Sequence, residues 1–302
     1  MPPESFTVDV PATSANLGPG FDSLGLALDI VNSVHVQASD RWEMAITGEG
    51  AKQLPSGDRN LLLRSITTAA RRWDVDLPPL KLTCTNQIPL SRGLGSSSSA
   101  IIAALVITDR LGGGGRSDDD ILQLASELEG HPDNVTPAFL GGVQACALAG
   151  GKVVHARVPV KRAPGLAVYV PDVPMPTREA RRVLPRRIEI HDAVYNISRA
   201  CVLVAALASG DLGALRYGTE DMLHQPPRMR LFPGMPVLFH AALEAGAVGV
   251  YLSGAGSTVI AFVDGDPRPI ADAMARAAAR DGVTGRPMIA TLREEGARIT
   301  AD

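Results

Sequence analysis

A glycine- and serine-rich segment at residues 89–100, PLSRGLGSSSSA, has the composition of an anion-binding loop. It follows a strand-like segment at residues 80–86 and leads into residues 100–110, whose apolar side chains predict a buried helix. The first N–H groups of a helix have no internal partner and the macrodipole is positive at that end, so a loop placed there favours anions. Glycines let the backbone approach phosphate oxygens, and serine hydroxyls can donate to them or ligate Mg²⁺. An ordinary turn with a serine N-cap is the alternative, because neither GxxxxGK[ST] nor GxGxxG is present.

Two further clusters of polar residues could hold a small ligand or a cation. The first surrounds the turn at residues 18–20 and could equally be an ordinary hairpin loop; its short side chains are Thr13, Ser14, Asn16 and Asp22. The second begins with Glu127 and Glu129 at the end of a predicted helix, where a carboxylate opposes the dipole, and continues into a loop, HPDN, at residues 131–134. One histidine is too few for zinc, so this cluster favours magnesium, with solvated glutamates as the alternative.

The composition limits the classes of protein to which the chain can belong. Its 302 residues suffice for two domains, and 45% hydrophobic with 20% charged residues indicates a globular chain. The net charge is −3 and no basic run extends beyond paired arginines, which argues against a nucleic-acid partner. Three cysteines that are far apart predict reduced thiols, not a disulfide framework. Since neither a signal peptide nor an apolar run of about 18 residues is found, the sequence predicts a cytoplasmic protein that does not bind a membrane.

Interleaved strand and helix patterns indicate the elements that must position these clusters. Apolar alternation predicts strands at residues 5–10, 34–37, 42–47, 80–86, 166–170 and 288–292, and a strand pair within 249–264. Helical spacing predicts helices at residues 60–73, 100–110, 118–129, 177–184, 193–208, 212–222 and 269–280. Ser117 and Thr177 are the predicted N-caps of two of these helices. The order of elements predicts an α+β fold with two domains, residues 1–160 and 161–302.

Four blocks taken together resemble the GHMP kinase superfamily: PATSANLGPGFDSLGLAL at residues 11–28, PLSRGLGSSSSA at 89–100, EGHPDNVTPAFLGG at 129–142 and SGAGSTV at 253–259. The first and third blocks, with TREARRVLP at 177–185 and LHQPPR at 223–228, look specifically like the homoserine kinase family. The resemblance implies an N-terminal domain like the second domain of ribosomal protein S5, a ferredoxin-like C-terminal domain, and an active site between them. It also implies ATP and Mg²⁺ as cofactors, L-homoserine as the substrate and a homodimer as the assembly.

The matching positions imply a role for individual residues. The ATP phosphates would lie on the loop formed by Pro89, Leu90, Ser91, Arg92, Gly93, Leu94, Gly95, Ser96, Ser97, Ser98 and Ser99. Ser97 and Glu129 would ligate Mg²⁺, and Asn60 would lie near the adenine. The residues that would contact L-homoserine are Asn16, Asp22, His131, Asp133, Asn134, Arg181 and Arg228. Those assigned to catalysis are Asn16, Asp22, Asn134 and Arg181.

The charges of an amino-acid acceptor fit these positions. A carboxylate, from Asp22 or Asp133, would bind the ammonium group, and a guanidinium, from Arg181 or Arg228, would bind the carboxylate. Whether a side chain takes the hydroxyl proton stays open, because related kinases use an aspartate as a base, whereas homoserine kinases have been argued to lack one. Two other functions stay in view: a kinase whose acceptor has no ammonium group, such as mevalonate, and a non-catalytic protein on the same fold. Ser257 departs from the more usual SGAGPT pattern of the family.

Overall fold

The larger of two β-sheets has seven strands in the computed structural model, which describes residues 5–301. Its strands are β1 (Phe6–Ala15), β2 (Leu24–Ala38), β3 (Glu43–Gly48), β4 (Leu80–Asn86), β5 (Val143–Ala149), β6 (Lys152–Val158) and β11 (Arg298–Ala301). Their order is β11-β1-β2-β4-β3, and β5 pairs with both β2 and β6. Phe6 pairs with Ala301, so the last strand of the chain returns to the first.

Four helices pack on this sheet: α1 (Leu61–Trp73), α2 (Ser96–Leu111), α3 (Asp118–Glu129) and α4 (Pro132–Leu140). They share one apolar core with β1 and β2, to which Val8, Val34 and Leu105 belong. α2 is buried along most of its length, which explains why its sequence is apolar almost all round. The N-caps of α1 and α3 are Asn60 and Ser117, whose side-chain oxygens each accept a backbone N–H of the first turn.

The second sheet has four antiparallel strands, β7 (Gly165–Pro171), β8 (Gly249–Leu252), β9 (Val259–Val263) and β10 (Gly285–Ala290), in the order β10-β7-β9-β8. Successive side chains of β7 enter different cores. Leu166 and Val168 pack with the larger sheet, whereas Ala167 and Tyr169 pack on the opposite face. The helices of this half are α5 (Thr177–Arg182), α6 (Ile190–Ser209), α7 (Leu215–Gly218), α8 (Gln225–Arg228), α9 (Met235–Glu244) and α10 (Arg268–Arg280).

The α+β class is confirmed, and several predicted boundaries are wrong. Residues 131–134 are not a loop, because Pro132 is the first residue of α4, a position that suits proline. The helix predicted from residue 100 begins at Ser96, since Gly95 at φ 71° turns the chain directly into it. Pro176, not Thr177, is the N-cap of α5. The division into domains at residue 160 stays a prediction.

The predicted helix at residues 212–222 is wrong in its second half. The chain forms a 3₁₀ turn at Leu212–Ala214, then α7, and leaves the helix after Gly218. The carboxylate of Asp221 accepts the backbone N–H groups of Leu223, His224 and Gln225. This side chain therefore starts a new short helix, α8, where the apolar spacing alone predicted a continuous one.

Helix α6 is unusual in that much of its apolar surface faces outward. Ile190, Val194 and Ile197 are 79%, 57% and 64% exposed. By length and composition α6 is also the one helix within residues 5–301 that could cross a bilayer, with 22% of the relevant window buried. A single helix of this kind is weak support for a membrane span, because core helices of other proteins meet the same criterion.

Candidate active site

One cleft, with a volume of about 410 Å³, is lined by strands of the larger sheet, by helices packed on it, and by α5, α8 and the β8–β9 loop of the second half of the chain. It brings together every residue to which the resemblance gave a role except Ser98, which lies directly behind the cleft in α2. Of the two polar clusters, Thr13, Ser14 and Glu127 do not line it. The assigned residues that line it are Asn16, Asp22, Asn60, Pro89, Leu90, Ser91, Arg92, Gly93, Leu94, Gly95, Ser96, Ser97, Ser99, Glu129, His131, Asp133, Asn134, Arg181 and Arg228. Their individual roles stay predictions.

The phosphate loop, residues 89–99, ends in the N-terminus of α2 at the wall of the cleft. Gly93 and Gly95 have φ values of 77° and 71°, which favour glycine. A Cβ on Gly93 would lie 2.0 Å from the carbonyl oxygen of Ser253, and one on Gly95 would lie 2.0 Å from Oγ1 of Thr13. These glycines therefore let the loop pack directly against its supports while the start of α2 lines the cleft, a position that favours an anion.

Glu129 lies beside the start of α2 although it is the last residue of α3. Its Oε1 accepts hydrogen bonds from Oγ of Ser97, at 2.6 Å, and from Oγ of Ser98, at 2.9 Å. The predicted magnesium ligands Ser97 and Glu129 are thus in direct contact. An oxygen donor set with one carboxylate, next to an anion site, fits Mg²⁺ because this ion is usually held by one or two carboxylates together with phosphates.

On the opposite side of the cleft, Asp22 and Arg181 form a bidentate ion pair. The Arg181 nitrogens donate to the two carboxylate oxygens of Asp22 at 2.9 and 2.6 Å. The sequence offered Asp22 or Asp133 for a ligand ammonium and Arg181 or Arg228 for a ligand carboxylate. It did not predict that Asp22 and Arg181 bind each other. A zwitterion would satisfy both residues by exchanging partners with this pair.

Asn16 holds the turn that carries Asp22. Its Oδ1 accepts the backbone N–H of Asp22 at 3.1 Å, and its Nδ2 donates to the carbonyl oxygen of Gly254 at 2.8 Å. Asn16 and Asp22 have φ values of 68° and 55°, which are uncommon for residues with a side chain. The turn is therefore held in an uncommon backbone conformation at the wall of the cleft, and such conformations cluster at functional sites.

The start of α4 contributes a second polar group. Nδ1 of His131 lies 2.5 Å from Oδ1 of Asp133. The side-chain atoms through which Asp22, His131 and Asp133 could bind a metal all lie within 4.8 Å of one another. Burial disfavours the charged imidazole, but the hydrogen bond and the charge of Asp133 outweigh it, so the pKa of His131 lies above its ordinary value. Asn134 accepts a hydrogen bond at its Oδ1 from the hydroxyl of Thr13, at 2.8 Å.

Arg228 lies beneath the cleft and is only 2% exposed. One terminal nitrogen, Nη1, donates to the carbonyl oxygen of Gly254 and to Nδ1 of His224, both at 2.8 Å. Nε2 of His224 donates to the carbonyl oxygen of Gly18 at 2.7 Å, and because Nδ1 accepts from Arg228 the imidazole is neutral. Burial, with the charge of Arg181, lowers the pKa of Arg228 to about 10. Sequence reasoning missed His224 and Gly254, although both lie within blocks that carried the resemblance.

The other end of the cleft is apolar and suits the base of a nucleotide. Its walls include Val34, Ile46, Leu61 and Cys84. Asn60 lines this end, but its Oδ1 accepts from Leu62 and its Nδ2 donates to the carbonyl oxygen of Pro55. The amide of Asn60 is therefore occupied by the backbone, and its contact with adenine stays a prediction.

The chain matches two family models, the GHMP kinases N terminal domain over residues 60–142 and the GHMP kinases C terminal domain over residues 203–281. It is 46% identical to a homoserine kinase of Moorella thermoacetica, covering 91% of this chain and 93% of that protein. It is 39% identical to a homoserine kinase of Desulfitobacterium hafniense, covering 97% and 99%.

Two solved structures show how far the similarity extends. The crystal structure of homoserine kinase from Cytophaga hutchinsonii is similar with a TM-score of 0.88, at 28% identity, and covers 99% of this chain and 98% of that one. The crystal structure of L. major mevalonate kinase in complex with R-mevalonate has a TM-score of 0.74 at 16% identity and covers 97% of this chain and 98% of that one. The second comparison supports the fold alone.

Proposed function

The chain belongs to the homoserine kinases of the GHMP kinase family, and on that premise we propose that it transfers the γ-phosphoryl group of ATP to the side-chain hydroxyl of L-homoserine. The product would be O-phospho-L-homoserine, on the route to threonine, formed in the cytoplasm. The observation that carries the proposal is one cleft that joins the phosphate loop to paired groups of both charges. Of the acceptors of this family, an amino acid makes the fullest use of such a pair.

Positioning and neutralisation of charge supply most of the acceleration in phosphoryl transfer. We propose that the first N–H groups of α2 bind the phosphates and that Ser97 and Glu129 hold Mg²⁺, which when bound neutralises charge on the phosphates. Asp22 would bind the ammonium group of the acceptor, and Arg181 and Arg228 its carboxylate.

Asp22 and Asn134 would orient the acceptor without acting as a base. Asp22 would be occupied by the ammonium group of the acceptor, and an amide such as that of Asn134 does not take up protons near neutral pH. The variant Asp22→Asn tests this part of the proposal. If turnover disappeared while the affinity for L-homoserine stayed the same, a general base would be the better explanation.

The test of the whole proposal is release of ADP from Mg-ATP with L-homoserine, L-threonine, L-serine, mevalonate and galactose as acceptors. Turnover selective for L-homoserine is the expected result. Turnover selective for mevalonate or galactose would keep the family and refute the substrate. Binding of ATP with no turnover of any acceptor would favour the non-catalytic alternative.

We further propose that the chain forms a homodimer through the outward face of α6. Ile190, Val194 and Ile197 are spaced so that they lie on one side of the helix, and exposed apolar rows of this kind mark interaction surfaces. The molar mass in solution, measured by light scattering, should be twice that of the chain, and Ile197→Lys should halve it. A monomeric wild type would refute the dimer, and co-sedimentation with phospholipid vesicles would assign the same face to a membrane.

A further inference from the structure

The hydroxyl of Thr13 is buried between the acceptor side of the cleft and the phosphate loop. Thr13 lies near the end of β1 and has none of its surface exposed. Its Oγ1 donates to Oδ1 of Asn134 at 2.8 Å, and its backbone N–H donates to the carbonyl oxygen of Leu94 at 3.1 Å. One residue is thus bonded both to α4 and to the loop that precedes α2.

The hydrogen bond from Thr13 anchors the Asn134 amide, and the neighbouring carboxylate of Asp133 determines which end of that amide is free for a ligand. With Oδ1 bound to Thr13, Nδ2 lies 3.4 Å from Oδ1 of Asp133, an oxygen that also contacts His131. If the amide were rotated by 180°, Oδ1 of Asn134 would face that carboxylate oxygen, and two acceptors repel each other. Asp133 therefore sets the orientation in which the amide presents a donor to the cleft, and the hydrogen bond from Thr13 holds the amide in it.

The position of the hydroxyl is itself fixed by close packing. A Cβ on Gly95 would lie only 2.0 Å from Oγ1 of Thr13, so this oxygen sits directly against the N-cap of α2. The branched side chain of threonine has few χ1 rotamers, and a buried one has little room to change between them. A shift of the phosphate loop would consequently move this hydroxyl and, with it, the amide of Asn134.

We infer that Thr13 is a positioning residue, whose hydroxyl orients the Asn134 amide so that it donates a hydrogen bond to the acceptor hydroxyl oxygen and stays aligned with the phosphate loop. The inference rests on the proposed function, because it requires an acceptor beside Asn134. An amide held in this way can orient that oxygen but cannot take its proton. Thr13 acts through Asn134 and does not itself contact the acceptor.

Two substitutions separate the hydroxyl from the shape of the side chain. Thr13→Val keeps the shape and leaves Oδ1 of Asn134 without its donor, whereas Thr13→Ser keeps the hydroxyl. With L-homoserine and Mg-ATP, kcat of Thr13→Val should fall by about 10- to 100-fold, with KM for ATP changed by less than about 3-fold. Thr13→Ser should retain kcat within about 3-fold. The matched control is Thr108→Val, which removes a buried hydroxyl bonded to Ala104 far along α2 and should leave kcat unchanged.

A double-mutant cycle distinguishes positioning from a general structural role. In the background of Asn134→Ala, Thr13→Val should change kcat by less than about 2-fold, because the amide that Thr13 orients is gone. An equally large loss in that background would overturn the inference, and so would full activity of Thr13→Val alone. If thermal unfolding shows that Thr13→Val does not fold, the same cycle is carried out with Thr13→Ala, and its result decides between the two roles. A wild-type protein that does not turn over L-homoserine would instead refute the proposed function, so the two failures are distinguishable.

Discussion

Acidification should destabilise the fold through His224, whose side chain is completely buried. Its Nε2 donates to the carbonyl oxygen of Gly18 and its Nδ1 accepts from Arg228, so a second proton would displace Arg228 and place two positive charges side by side. Burial, together with the charge of Arg228, outweighs the effect of Asp221 and lowers the pKa of His224 from 6.5 to about 4.

The magnitude follows from the difference between the folded and unfolded pKa values of His224. Because the folded value is lower, the unfolded state binds more protons between the two, and the free energy of unfolding falls as the pH decreases through this window. The difference between 6.5 and about 4 is about 2.5 pKa units, which at about 1.36 kcal/mol each is about 3 kcal/mol. Folded proteins are typically stable by only about 5–15 kcal/mol, so the loss is large.

The assay is urea unfolding at pH values from 7.5 to 4 on the wild type and on His224→Gln, which cannot titrate in this window. Other groups titrate in both proteins, so the difference between their stabilities isolates His224. The stability of the wild type relative to the variant should decrease by about 3 kcal/mol from pH 7.5 to pH 4. A difference that stays constant over this range would refute the assignment of a neutral, buried imidazole to His224.

Three further substitutions test the phosphate, metal and acceptor sides of the cleft. Glu129→Gln removes a carboxylate from a helix C-terminus, so thermal unfolding should show equal or slightly higher stability, while kcat falls by about 100-fold and the Mg²⁺ requirement rises. Gly93→Ala places a Cβ 2.0 Å from a facing carbonyl oxygen at a φ of 77°, so its free energy of unfolding in urea should be lower by about 2–4 kcal/mol. The control Gly57→Ala, with open space around it, should change that free energy by less than about 0.5 kcal/mol. Arg181→Lys loses the bidentate geometry, so in steady-state kinetics KM for L-homoserine should rise by about 10-fold or more while KM for ATP stays unchanged. The control is the neighbouring variant Arg182→Lys.

The phosphate loop could be predicted from the sequence because its geometry is local. Gly93, Gly95 and the apolar helix that follows them are adjacent in the chain, and their conformations depend on backbone sterics more than on distant contacts. The roles of Thr13 and His224 could not be predicted in this way. Their hydrogen bonds reach Asn134 and Gly18, which are 121 and 206 positions away, and no local pattern indicates such a pairing.

The fold shows the same limit. Only residues 34–37 of the long strand β2 were predicted, because alternation of buried and partly buried residues is confined to its second half, whereas residues 24–28 are buried on both faces. β11 was missed since all four of its residues are exposed and give no apolar alternation. The fold class was nevertheless predictable, because many elements contribute to it and an error in one boundary does not change the order.

The central claim is that the γ-phosphoryl group of ATP is transferred to the hydroxyl of L-homoserine in the cleft. ³¹P NMR of a reaction with Mg-ATP and L-homoserine tests this claim most directly. The account predicts that each ADP formed is matched by one phosphate monoester, whose resonance is split by the two protons of the adjacent CH₂ group. Formation of ADP with inorganic phosphate and no ester, or no ADP at all, would contradict it.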